Sequence, residues 1–188
     1  EAGSQIITKD NFQDDDPAWS ADGEFLAFVS RRDGNFEVYV TDPIGEYLQR
    51  ITMDPGHDGG PAWSNEMEIA FHTNRDGNFE IYTTGSGVHR NLTNNPADDA
   101  YPTWSPDGGY IAFHSNRDGN WEIYVMDADG SNQSRITDDP GDDWVPAWSP
   151  DGKLIAFWSK RTGHWQIFGM NPDGSDVRRI SEEGLYPD

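Results

Sequence analysis

Four aspartates stand at matched places in the chain. Asp14, Asp58, Asp99 and Asp143 each lie three residues before a proline, and Asp15, Asp16, Asp98 and Asp142 flank them. Carboxylates gathered around one axis repel each other, and a cation relieves that repulsion. A donor set of oxygens suits a hard ion, so calcium is the candidate cofactor and zinc is not. The structural alternative is that each Asp caps its own turn or pairs with an arginine. Arg32, Arg75, Arg117 and Arg161 recur with the same period, and they read as ion-pair partners between neighbouring repeats.

A second set varies where the frame does not. His57, Tyr101 and Trp144 fall beside the aspartates, and His164 falls on a neighbouring turn. Such positions are candidate partner contacts, and an aromatic surface with acids suits sugar hydroxyls or a protein loop. His72 and His114 sit at equivalent places and read as structural. Catalytic patterns are absent: no Gly-x-Ser-x-Gly elbow, no His-Glu-x-x-His, no phosphate loop and no dinucleotide fingerprint occurs. The expectation is a protein that is not an enzyme.

These residues need a scaffold, and the repeats supply it. Trp19, Trp63, Trp104 and Trp148 each close an Ala-Trp-Ser or Thr-Trp-Ser triplet, at spacings of 44, 41 and 44 residues. A turn follows, Asp-Gly in three copies and Asn65-Glu66 in the second. Then come a short apolar run, an Arg-Asp-Gly-Asn turn (Arg161-Thr162-Gly163-His164 in the last copy), a strand such as Trp121-Glu122-Ile123-Tyr124, and an ending such as Ile136-Thr137. Asp-Gly between apolar runs signals a hairpin, because Gly accepts positive φ and the Asp side chain bonds nearby backbone. No apolar stripe of helical period and length occurs. Four short strands every 40–45 residues mark a propeller blade.

The fold class is therefore all-β: a β-propeller of four four-stranded blades in one domain, spanning about 14–52, 58–93, 99–137 and 143–181. The repeated Trp is expected to pack between blades. Ile6-Ile7-Thr8, within 1–13, is an extra copy of the outer-strand ending. Tyr186-Pro187-Asp188, within 182–188, reads as the start of a further repeat. The chain then forms a closed four-bladed ring or part of a larger propeller, including an eight-bladed ring of two chains (a homodimer).

The blade pattern Pro146 to Gly152, Ile155 to Phe157 and Asn116 to Tyr124 resembles the WD-like β-propeller repeat of the TolB family. The resemblance covers nearly the whole chain. It implies a binding module that works through loops around its channel, for a protein or glycan partner, in a periplasmic or extracellular setting. Similar repeats occur in gating domains of serine peptidases and in polysaccharide lyases, so the propeller portion of a larger enzyme is the alternative. A spacer in a repetitive surface protein is another.

Composition narrows the partners. Thirty-four acids against 13 Lys and Arg give a net charge of −21. Nucleic acid is disfavoured, because binding there depends on neutralising phosphates, and so is an anionic membrane surface. No apolar run reaches the roughly 20 residues of a membrane helix, so no membrane insertion is expected. Only 34% of residues are hydrophobic, yet 13% are aromatic, and those large rings are enough to build a core. The absence of cysteine removes disulfides and thiolate chemistry.

Overall fold

The structure, a computed structural model, describes residues 6–85 and 87–180. Among them, sixteen strands form four antiparallel sheets of four, each in sequential order. The first sheet holds β1 (Asp14–Trp19), β2 (Leu26–Ser30), β3 (Glu37–Thr41) and β4 (Leu48–Arg50). The second holds β5 (Asp58–Trp63), β6 (Ile69–Thr73), β7 (Glu80–Thr83) and β8 (Arg90–Asn91). The third holds β9 (Asp99–Trp104), β10 (Tyr110–Ser115), β11 (Glu122–Asp127) and β12 (Ser134–Arg135). The fourth holds β13 (Asp143–Trp148), β14 (Ile155–Ser159), β15 (Gln166–Met170) and β16 (Arg178–Arg179). No helix among the described residues is long and apolar enough to cross a membrane.

Blades stack because their middle strands are apolar on both faces. Phe71, Phe113 and Phe157 are essentially inaccessible. Each blade's first-strand Trp packs on the blade before it. Trp63 packs on the cluster that holds Ala27, Val38 and Val40; Trp104 shares a cluster with Ala70, Ile81 and Leu92; Trp148 packs on the cluster that holds Ala112 and Ile123. Trp19 is 52% exposed, because no described blade precedes it. First strands touch in succession, β1 to β5, β5 to β9 and β9 to β13, as innermost strands of a propeller do. Among the described residues, strand contacts join blades one to two, two to three and three to four, and none joins the fourth to the first.

The stretch before β1 mimics the end of a blade. Gly130 and Gly174, at φ 87° and 84°, lie so close to the carbonyls of Leu92 and Ile136 that a Cβ would not fit. Gly45 meets the Ile7 carbonyl in the same way, so Ile7 stands where a preceding blade's last strand would end. Ile7 and Thr8 are not themselves in a strand. Tyr186-Pro187-Asp188 lies outside the described residues.

The altered fourth turn has a structural counterpart. The hydroxyls of Tyr39, Tyr82 and Tyr124 donate to Asp33, Asp76 and Asp118 of the Arg-Asp-Gly-Asn turns. In the fourth blade both members change together, to Phe168 and Thr162. A lone Tyr there would bury an unpaired hydroxyl. Tyr124→Phe is accordingly expected to lower stability by about 1 kcal/mol, read from the urea midpoint.

Candidate functional site

The aspartates that open the first strands join one blade to the next. The backbone N–H groups of Asp58, Asp99 and Asp143 donate to the carbonyls of Phe36, Phe79 and Trp121, at 2.9, 2.8 and 2.8 Å. Their side chains turn back into their own blade. The ladder pairs Asp14 with Ser30, and Asp58 with Thr73. It also pairs Asp99 with Ser115, and Asp143 with Ser159. The arginine two residues beyond each of these hydroxyl residues therefore lies over the Asp. Arg32 reaches Asp14 and Arg75 reaches Asp58, both at 3.3 Å; Arg117 reaches Asp99 at 2.8 Å and Arg161 reaches Asp143 at 2.9 Å. The ion pairs thus lie chiefly within a blade rather than between blades, which corrects the sequence expectation. Reach into the preceding segment is limited to Arg32 with Asp10 and Arg75 with Asp54.

Each arginine also lies over two rings of its blade, as Arg117 does over Phe113 (5.5 Å) and Tyr124 (4.6 Å). Asp58, Asp99 and Asp143 are fully enclosed at the side chain. Burial pushes the Asp58 carboxyl up to about 7 and that of Asp143 to about 6. The four aspartates expected to ring a cation do not converge. Among the described residues, the group of three or more possible ligands whose atoms come within 4.8 Å of one another is Glu37, Asp54 and Asp58.

The same ends of the innermost strands carry a strained bulge. Asp16, Gly60, Tyr101 and Val145 each precede a proline and take φ of 50–53°. The first strands lose register at these points. Left-handed backbone at Tyr101 and Val145 costs of order 1–3 kcal/mol and persists only when neighbours hold it. The preceding blade supplies the hold. Asp16 accepts the Gly60 N–H at 3.1 Å; His72 Nδ1 accepts the Tyr101 N–H at 3.2 Å; His114 Nδ1 accepts the Val145 N–H at 3.0 Å. Burial keeps both imidazoles neutral, lowering His72 to about 4 and His114 to about 3, the latter helped by the charge of His72. The structural reading of these histidines holds.

The bulge re-aims side chains towards the strand ends. A pocket of about 450 Å³ opens there across the first three blades, lined by Asp15, Asp16, Phe36, His57, Asp58, His72, Phe79 and Tyr101 among others. An aromatic row continues from it. Tyr101 contacts His72 at 4.9 Å and His114 at 5.4 Å between centroids; His114 meets Trp121 at 4.8 Å and Trp144 at 6.1 Å; Trp144 meets Trp165 at 4.9 Å. Tyr101, Trp144 and Trp165 remain 36–38% exposed, so their faces are open to a ligand. Burial raises the Tyr101 hydroxyl's pKa, and the charges of Asp16 and Asp15 add to it.

Of the residues expected to contact a partner, His57 and Tyr101 share the pocket and Trp144 extends its aromatic wall. His164 lies in an exposed turn and belongs to neither. Sequence reasoning missed Phe36, Phe79, Trp121 and Trp165 as wall residues. The available signal was that every Gly-Asn or Gly-His turn is followed by an aromatic.

Sequential four-stranded sheets, stacked through their first strands with a pocket at one end of those strands, define a β-propeller domain. The chain belongs to the TolB β-propeller domain family, whose profile matches residues 84–187. It is similar to the TolB homolog of Chlorobium chlorochromatii (strain CaD3), 36% identical over 94 residues, which cover 49% of this chain and 21% of that protein. The TolB-type structure from Agrobacterium tumefaciens superposes with a TM-score of 0.80 at 29% identity, over 87% of this chain and 63% of that one. The oligogalacturonate lyase of Vibrio parahaemolyticus shares the fold alone, with a TM-score of 0.67 at 17% identity over 89% of this chain and 52% of that one. This chain thus spans about a fifth of the curated relative and under two thirds of either structure.

Proposed function

We propose that this propeller is a non-catalytic binding module that presents the pocket of Asp15, Asp16, His57 and Tyr101, with its Trp144 wall, to a protein partner. The carrying observation is the juxtaposition of carboxylates with open aromatic faces in one concave site. Aromatic faces and carboxylates both favour a cationic side chain, so a Lys- or Arg-bearing loop is the occupant of choice. The periplasm or cell exterior is the setting proposed with it, by kinship with TolB. The non-catalytic reading is supported by how the pocket's shifted groups are used. His72 is tied to the Tyr101 backbone and Asp58 to Arg75.

A glycan is the second reading, favoured by the row from Tyr101 to Trp165, since sugars stack on such faces. One titration separates the two. Tetra-arginine and cellohexaose are each added to the protein while the indole N–H signals of Trp121, Trp144 and Trp165 are followed by NMR. The protein reading expects saturable shifts with tetra-arginine that weaken about tenfold or more in Tyr101→Ala, a loss of ~1.4 kcal/mol or more. Shifts with cellohexaose alone would hand the site to the glycan.

A further inference from the structure

We propose that Glu37, Asp54 and Asp58 form a binding site for one divalent cation, calcium, buried between the first and second blades. The residues come from three segments: β3 of one blade, the crossing loop, and β5 of the next. One oxygen from each lies within 4.8 Å of the other two. Oxygens that close together can share one ion of calcium's size, whose opposed ligands lie ~4.6–5.2 Å apart. The proposal stands apart from the binding-module reading and shares no measurement with it.

Two of the oxygens are also uncommitted. Glu37 Oε2 and Asp58 Oδ2 are buried without a hydrogen bond, and both side chains are fully enclosed, while Asp54 Oδ2 is held by Arg75. Two guanidinium groups stand nearby. Arg50 donates to Glu37 Oε1 at 2.7 Å, and Arg75 pairs with Asp58 Oδ1 and with Asp54. Arg50 is shared with Asp33 at 3.1 Å, and Arg75 is shared between Asp54 and Asp58, so neither guanidinium is devoted to one carboxylate. Buried acceptors left bare in this way are costly unless something binds them.

The other junctions act as internal controls. Glu80 occupies the place of Glu37, and both its oxygens are taken. Thr93 Oγ1 donates to Oε2, while Asn78 Nδ2 (3.0 Å) and the Asn95 N–H (2.8 Å) donate to Oε1. Asn95 replaces Asp54 there, and its amide donates to Asp99 Oδ2 at 2.5 Å. Glu122 is satisfied in the same manner, by Thr137 Oγ1 at 2.6 Å, Asn120 Nδ2 at 3.0 Å and the Asp139 N–H at 3.1 Å. At the third junction Asp139 and Asp143 stand where Asp54 and Asp58 stand and Asp143 Oδ1 is bare too, but Glu122 has both oxygens taken, and among the described residues only the first junction brings an oxygen from all three acids within 4.8 Å.

The test uses chelator-treated protein, calorimetric titration with CaCl2, and melting curves at matched ionic strength in KCl. Wild type is expected to bind one calcium and to gain about 3–10 °C in Tm at ~10 mM CaCl2, for the ~0.1–1 mM affinity usual of extracellular sites. Asp54→Asn, which copies the second junction, is expected to fold and to lose both the heat and the shift. Glu37→Gln serves if Asp54→Asn does not fold. No binding heat and no shift in wild type would overturn the proposal. So would an undiminished shift in Asp54→Asn, which would assign the effect to screening of surface charge.

Discussion

Replacing Arg117 with Met is expected to lower stability by about 3–5 kcal/mol, because it strands a buried carboxylate. Asp99 is fully enclosed, and Arg117 Nη2 holds both its oxygens, at 2.9 and 2.8 Å. Arg117 Nε also donates to Ser115 Oγ at 2.9 Å, so one side chain ties the first two strands of the blade. For a chain of this size the loss corresponds to about 6–20 °C in Tm. The double variant Arg117→Met, Asp99→Asn should recover much of it, since the neutral amide no longer needs a countercharge. A cycle of urea midpoints across the four proteins measures the coupling. Arg117→Met falling by less than ~1 kcal/mol would show that Asp99 is not held as a paired ion.

The second large effect is in acid. His72 and His114 are buried, and burial lowers them to about 4 and 3 from an ordinary value near 6.5. The unfolded chain therefore binds protons that the fold refuses. Stability from these groups is complete above pH ~6.5 and is lost as pH falls towards the folded values. At pH 5 each imidazole removes about 2 kcal/mol relative to pH 8, or about 4 kcal/mol for both. Asp58 and Asp143, raised to about 7 and 6, act oppositely and are gained back on acidification. Comparing proteins isolates the histidines. His72→Gln, His114→Gln is less stable than wild type at pH 8, where it loses ring packing. That deficit should shrink by about 4 kcal/mol by pH 5. A deficit independent of pH would mean that the rings titrate freely in the fold.

The architecture was largely legible because propeller blades announce themselves by period. Trp19, Trp63, Trp104 and Trp148 mark the first strands, and the turn glycines mark the hairpins. The site was only half legible. Asp58, His57 and Tyr101 stood out because loops before first strands face the pocket. The destination of each carboxylate was hidden, because it depends on strand register: Asp99 meets Arg117 only once Asp99 pairs with Ser115. The aromatic wall alternates rings from first strands, Tyr101 and Trp144, with rings just before third strands, Trp121 and Trp165, so no linear pattern displays it. Glu37, Asp54 and Asp58 come from two blades and the loop between them, and Glu37 looks identical in sequence to the satisfied Glu80.

The claim at the centre of this account is that the pocket lined by Asp15, Asp16, His57 and Tyr101 is where the propeller binds. The most direct measurement is the backbone amide spectrum of the protein titrated with tetra-arginine, wild type beside Asp16→Asn. The account predicts saturable shifts clustered on residues 14–16, 57–60 and 99–101, weakened in Asp16→Asn. Shifts spread evenly over the acidic surface, equal in both proteins, would contradict it and reduce the interaction to net charge.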